Sequence, residues 1–338
     1  MKQKPEESIR IFAAGLVLKQ LDVLNVEIPR VRIARDIEAV HRMRVSSRRM
    51  RAVLDIFQDC LPAKRGPIWQ QTIRKLTGAL GAARDTDVQI VSVADTIRML
   101  PDPLLKPGLR RLLLRLKQRR AKLQSRLLTR LEDFETSGHV EEMKAAFGEI
   151  SARNLEVYLY TPELYRRSFN KIHAAYQVFS SYEEKVRDPS NVSDLHAMRI
   201  AGKNLRYVME CFATLYSNEL KQPLGVMRSA QDLLGAIHDC DVWTMELPGF
   251  LDRERERTIA YFGRERNSGR FEPGIRYFLE LKTHNREEYY QSFITRWDEW
   301  KTEGIWDSLF QVLQVPFFNE KDVMPRSMID QIRIGGNQ

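Results

Sequence analysis

The sequence predicts an all-α fold built from two similar halves. Three observations carry this. Apolar residues recur at helical spacing along almost the whole chain. Alternating patterns bounded by hairpin turns are absent. One set of residues appears twice, at an offset of about 155 positions.

Taken in order, the periodicity predicts helices over 8–24 and 35–58, separated by NVEIPR and closed by CLPAKRGP. Two more are expected over 66–82 and 86–99, with LPDPLLKPG ending the second. Helices over 105–135 and 139–149 follow, up to VYLYTPE. The next runs over 161–185 to RDPSNVS, then 192–217, 219–237 and 240–255 up to NSGRFEPG. The last two cover 270–300 and 303–313. Pro, Gly and Asn mark these breaks. Residues 316–338 read as a tail or a partner-dependent arm.

The repeat is seen by setting DIEAVHRMRVSSRRMRAVLDIF over DLHAMRIAGKNLRYVMECF. At an offset of 155, His41 falls on His196, Arg44 on Arg199, Arg48 on Lys203, Arg51 on Arg206 and Phe57 on Phe212. RKLTGALGAARDTDV over RSAQDLLGAIHDCDV, at 154, puts Arg74 on Arg228, Gly81 on Gly235, Arg84 on His238, Asp85 on Asp239 and Asp87 on Asp241. A weaker match puts LLTRLED over FITRWDE at 166. Three matches in one order imply an internal duplication. The expected organisation is one unit over 8–315, with four-helix-type halves at 8–149 and 160–315.

A helix advances about 100° per residue. With His41 at 0°, Arg44, Arg48 and Arg51 lie within about 80° of it. Met43, Met50, Val53, Leu54 and Phe57 occupy the opposite face. From His196, the residues Arg199, Lys203 and Arg206 repeat the basic stripe, with Tyr207 beside it, and Met198, Leu205, Val208, Met209 and Phe212 repeat the apolar face. Each helix thus presents an imidazole and three cations over about 15 Å. Arg42 and Arg49 lie off this line, as surface charges or as its edge. A merely solvated face needs no fixed residue types, so the repeated spacing argues for an anion site. Asp85, Asp87, Asp239 and Asp241 either orient the arginines or cap the following helix.

A second stripe comprises Arg111, Arg115, Arg119, Lys122 and Arg126. The matching part of the second half has Glu280 and Glu287 at cation positions and keeps only His284 near Arg119, so the first half is expected to supply more charge. Arg74, Arg84, Arg228 and His238 join the secondary anion contacts. No glycine-rich phosphate loop, H-E-x-x-H or cysteine-rich metal pattern occurs. The D-x-D pairs are weak candidates for Mg²⁺ bridged by phosphate. A nucleophilic histidine lacks an activating acid at fixed spacing. No catalytic residue, metal or cofactor is expected.

The net charge of +9 and sequence pI near 9.4 favour an anionic partner. Cys60, Cys211 and Cys240 are neither even in number nor closely spaced, so no disulfide framework is expected. The N-terminus is a poor signal peptide, with Glu6 and Glu7 ahead of its apolar part. No apolar run approaches the roughly 20 residues of a membrane span. A cytoplasmic protein without a membrane partner is expected.

At VHRMRVSSRRMR with GAARDTDV, and LHAMRIAGKNLRYVMECF with GAIHDCDV, the chain resembles the CHAD family, the conserved histidine α-helical domains. The likeness covers roughly 8–315. It implies two four-helix bundles related by a pseudo-two-fold, with a basic channel between them. It also implies binding of inorganic polyphosphate and association with polyphosphate granules. The residues concerned would be His41, Arg44, Arg48, Arg51, His196, Arg199, Lys203 and Arg206. Many relatives carry a triphosphate-tunnel enzyme domain, which has no counterpart in this sequence, so hydrolysis is not carried over. Polyphosphate offers no bases, and arginine bonds two phosphate oxygens at once. Two other readings stand beside it. Nucleic-acid binders interleave aromatic platforms with cations, and here only Tyr207 lies near a stripe. A phosphohydrolase or phosphotransferase is the third.

Overall fold

The computed structural model describes residues 6–33, 36–155, 160–264 and 268–318, which hold α-helices, short 3-10 turns and no strand. The first half contains α1 (Glu7–Ile33), α2 (Ile37–Ile56), α3 (Gly66–Met99), α4 (Lys106–Thr136) and α5 (His139–Ser151). The second contains α6 (Pro162–Ser180), α7 (Val192–Phe212), α8 (Lys221–Phe262), α9 (Glu272–Thr302) and α10 (Ile305–Phe318). Residues 319–338 of the expected tail lie outside the described residues.

Three expected breaks are absent. Pro29 lies inside α1, which continues four residues beyond it to Ile33. Ile28 and Val31 are buried there, so packing offsets the hydrogen bond that proline removes. RDTDV and HDCDV do not end helices either, since α3 and α8 run straight through them. The capping reading of the four aspartates is therefore corrected. At mid-helix no free backbone N–H is available to a cap.

Within each half, successive helices pack side by side. Between halves, α1 meets α6, α2 meets α7 and α4 meets α9. These three helices thus touch their counterparts, the pattern of an isologous interface. Phe57 and Phe212, matched in the repeat, lie 5.6 Å apart between ring centroids, and Phe12 packs on both. One core mixes residues of both halves. A second core joins Val93 of α3, Leu109, Leu112 and Leu116 of α4, Trp243, Leu247 and Phe250 of α8, and Ile275 and Phe278 of α9.

The α4–α9 crossing depends on two glycines. A Cβ on Gly108 would stand 2.1 Å from the Phe271 carbonyl oxygen, and one on Gly274 would stand 2.0 Å from that of Leu105. The K-P-G and E-P-G stretches read as breaks in the sequence are thus also the places where two backbones touch.

Candidate functional site

The apolar faces assigned to α2 and α7 are all buried. That burial turns the basic stripes away from the core, and the α2–α7 contact brings them together. Arg44 and Arg48 of α2 act electrostatically on Arg199 and Lys203 of α7. Two carboxylates face this cluster. Asp85 accepts from Arg44 at 3.0 Å, and Asp239 lies near Arg199, Lys203 and Lys282. Arg48 and Lys203 have no hydrogen-bond or ion-pair partner among the described residues. The result is a cluster of cations drawn from both halves.

Its donors are under-satisfied. Seven buried side-chain polar atoms lack a partner among the described residues, and four belong to the stripes: His41 Nδ1, Arg44 Nε, Arg199 Nε and Arg206 Nε. Buried donors are normally paired, so each such atom calls for an explanation. Arg206 Nε comes only within 3.8 Å of Glu210, too far for a hydrogen bond.

The same crowding sets the protonation states. Burial, then Arg199, Arg48 and Arg44, pushes the Lys203 ammonium down to about 7. Burial and neighbouring cations also lower Arg44, Arg199, His41 and His196. His196 Nδ1 and His238 Nδ1 are 3.1 Å apart. One ring must donate and the other accept, so both cannot carry a proton on those atoms. Burial and then Arg199 bring His238 down to about 4. Burial raises Asp239.

His41 and His196 contact their own halves. His41 faces Arg84 of α3, which also donates to Glu38 at 3.1 Å, while His196 faces His238 of α8. Arg84 and His238 are counterparts in the repeat, so each half sets its histidine beside the equivalent position of its own next long helix. Arg51 and Arg74 flank Asp55, and Arg74 and Arg228 are exposed. Tyr207 is buried with the Arg206 guanidinium 5.2 Å from its ring centroid, so it is no exposed ligand.

The second stripe divides. Arg111 and Arg115 donate to Glu254 of α8 at 2.5 and 2.6 Å, with Arg257 on the same carboxylate. Burial alone would raise Glu254, but the three arginines outweigh it and hold it at about 2. These two arginines are structural ion-pair members, which corrects their reading as free anion contacts. Arg119, Lys122 and Arg126 remain exposed. His284 pairs with Glu288 at 3.3 Å.

Several residues escaped the sequence reading. Arg42 forms a bidentate pair with buried Glu27, at 2.7 and 3.0 Å, and Arg49 donates to Glu210 of α7 at 2.8 Å. Neither is a plain surface charge. Arg120 holds Asp87 at 2.7 Å, and Arg286 holds Asp241 at 2.5 Å. These pairs are counterparts, and the 166-residue offset of the third match relates Arg120 to Arg286. Lys282 of α9 donates to Ser92 at 3.1 Å, and burial lowers its ammonium beside Asp239. No sequence period marked it. Among the described residues no three metal-ligating side chains gather, and no helix is long and apolar enough to cross a membrane.

The model of the CHAD domain family matches residues 15–248. The chain is similar in fold to the crystal structure of the CHAD domain from the plant Ricinus communis, with a TM-score of 0.61 and 20% identity over 85% of this chain and 91% of that one. It is also similar to PptA from Streptomyces chartreusis, with a TM-score of 0.58 and 15% identity over 85% of this chain and 98% of that one. No curated protein matches it in sequence.

Proposed function

The chain belongs to the CHAD domain family, and from that premise we propose that it binds inorganic polyphosphate, without catalysis, along the α2–α7 groove. Arg44, Arg48, Arg199 and Lys203 form the track, with His41, His196, Arg51 and Arg206 at its ends and Lys282 beside it. The observation that supports this best is the set of unpaired donors on the stripes. An anion with many oxygens and no base can bond the guanidinium groups to which three of these atoms belong, and a guanidinium can hold two such oxygens. Cations of both halves focus the potential in the groove. Tyr207, the one aromatic beside a stripe, is buried, so no stacking platform accompanies the cations. Recruitment to polyphosphate granules in the cytoplasm would follow from this binding.

Calorimetric titration with long-chain polyphosphate at low and high salt tests the reading. Log K should fall linearly with log salt, because each phosphate contact releases a counterion. A single-stranded oligonucleotide of equal charge should compete poorly. Preference for the oligonucleotide, or an affinity indifferent to salt, would overturn it.

A further inference from the structure

A cavity of about 620 Å³ opens between α4 and α8, and none of the groove residues lines it. Its floor is apolar, with Leu112, Leu116, Trp243, Leu247 and Phe250. Its rim carries Arg119, Lys122 and Arg126 of α4 and Arg253 of α8, all exposed. Among the described residues none of these four has a carboxylate partner, whereas Arg115 and Arg257, which also line the cavity, are held by Glu254. Two other polar side chains line the cavity, Gln118 and Glu246. Glu246 is exposed and pairs with no cation among the described residues.

These features do not suit bare polyphosphate. A phosphate chain would leave the apolar floor unmatched and would face the Glu246 carboxylate. They suit a ligand with a flat ring, an amino group and a short run of phosphates. The volume is in the range of small-ligand pockets, which are mostly apolar with a few placed polar groups. A carboxylate accepts from an exocyclic base amine, and guanidinium groups take phosphate oxygens in pairs.

We propose that this cavity binds a nucleoside triphosphate with an amino-bearing base. The base lies over the apolar floor, with its amine donating to Glu246. The phosphates lie against Arg119, Lys122, Arg126 and Arg253. The site is separate from the polyphosphate groove and does not depend on that assignment.

The test is calorimetry with ATP and with inorganic tripolyphosphate on the full chain carrying Arg48→Ala and Lys203→Ala, which weakens the groove. One ATP should still bind per chain, about tenfold more tightly than tripolyphosphate. Adding Arg119→Ala and Arg126→Ala should weaken ATP by about tenfold or more. Adding Glu246→Ala should weaken ATP but not tripolyphosphate. All three residues are exposed, so the variants should fold, and an unchanged melting temperature checks this. Loss of ATP binding in the groove variant would overturn the proposal. So would equal affinity for ATP and tripolyphosphate, or ATP binding indifferent to Arg119 and Arg126. Failure of long-chain polyphosphate to bind the parent chain would instead overturn the groove reading.

Discussion

Lys203 concentrates the chemistry of the groove in one side chain. Arg199, Arg48 and Arg44 surround it, and its ammonium titrates at about 7 rather than 10.5. A bound polyanion favours the charged form, so binding takes up a proton. Affinity should therefore be greatest below pH 7 and fall as the pH rises through and above it, and Lys203→Arg should flatten that profile. Titrations at several pH values would show this. The same shift works against stability. The folded chain binds fewer protons at this site than the unfolded chain between about pH 7 and pH 10.5, so stability should rise with pH across that window. Lys203→Met should remove that rise and add about 1 kcal/mol at neutral pH, as urea melts at both ends of the window would show. Arg48→Ala should weaken polyphosphate binding by about 1.5–3 kcal/mol, the worth of one charge-assisted contact. Its melting temperature should stay unchanged, since Arg48 has no partner among the described residues.

Among the helices, α3 and α8 bear the widest set of constraints. Each carries the repeated D-x-D pair in mid-helix and a residue that faces a histidine. The pairs Asp87–Arg120 and Asp241–Arg286 fasten α4 and α9 to them, and both aspartates are buried. Farther along α8, Glu254 draws in two arginines of α4. Its carboxyl is held at about 2 against an ordinary 4.5. This contribution to stability is present above about pH 4.5 and is lost as the pH falls toward 2. Glu254→Gln should cost about 2 kcal/mol, less than a fully buried pair because Arg111, Arg115 and Arg257 stay partly exposed. It should also remove that part of the acid sensitivity, which denaturant melts at pH 3 and pH 7 would resolve.

Across the whole molecule, the cations of the two stripes come together only where α2 meets α7. One polymer can then touch both stripes, and linked half-sites raise each other's effective concentration. The pair Arg44→Ala with Arg48→Ala should therefore harm long-chain binding as much as Arg199→Ala with Lys203→Ala. Calorimetry that instead showed halved stoichiometry at unchanged affinity would mean two independent sites. The α4–α9 crossing is the second joint between halves. Gly108→Ala or Gly274→Ala should cost about 3 kcal/mol, because the added methyl meets a backbone oxygen rather than a yielding side chain. Thermal melts would measure it.

The helical class, the two-faced character of α2 and α7, and the residues of both basic stripes were legible from the amino acids alone. Each depends on a local period, and a helix of given period has only one apolar face to bury. The sequence also paired His41 with His196 and Arg84 with His238 by position, because the offset survives in the letters. Which of those residues touch was decided by tertiary structure. His196 meets His238 and not His41, since the direction of a side chain depends on what its helix packs against. Tertiary packing also carried α1 past Pro29, and α3 and α8 through their aspartates, where burial and ion pairs outweigh local breaking signals. Arg42, Arg49, Arg111 and Arg115 became structural ion-pair members for the same reason. Their carboxylate partners lie on other helices, and charge alone carries no record of a partner distant in the chain.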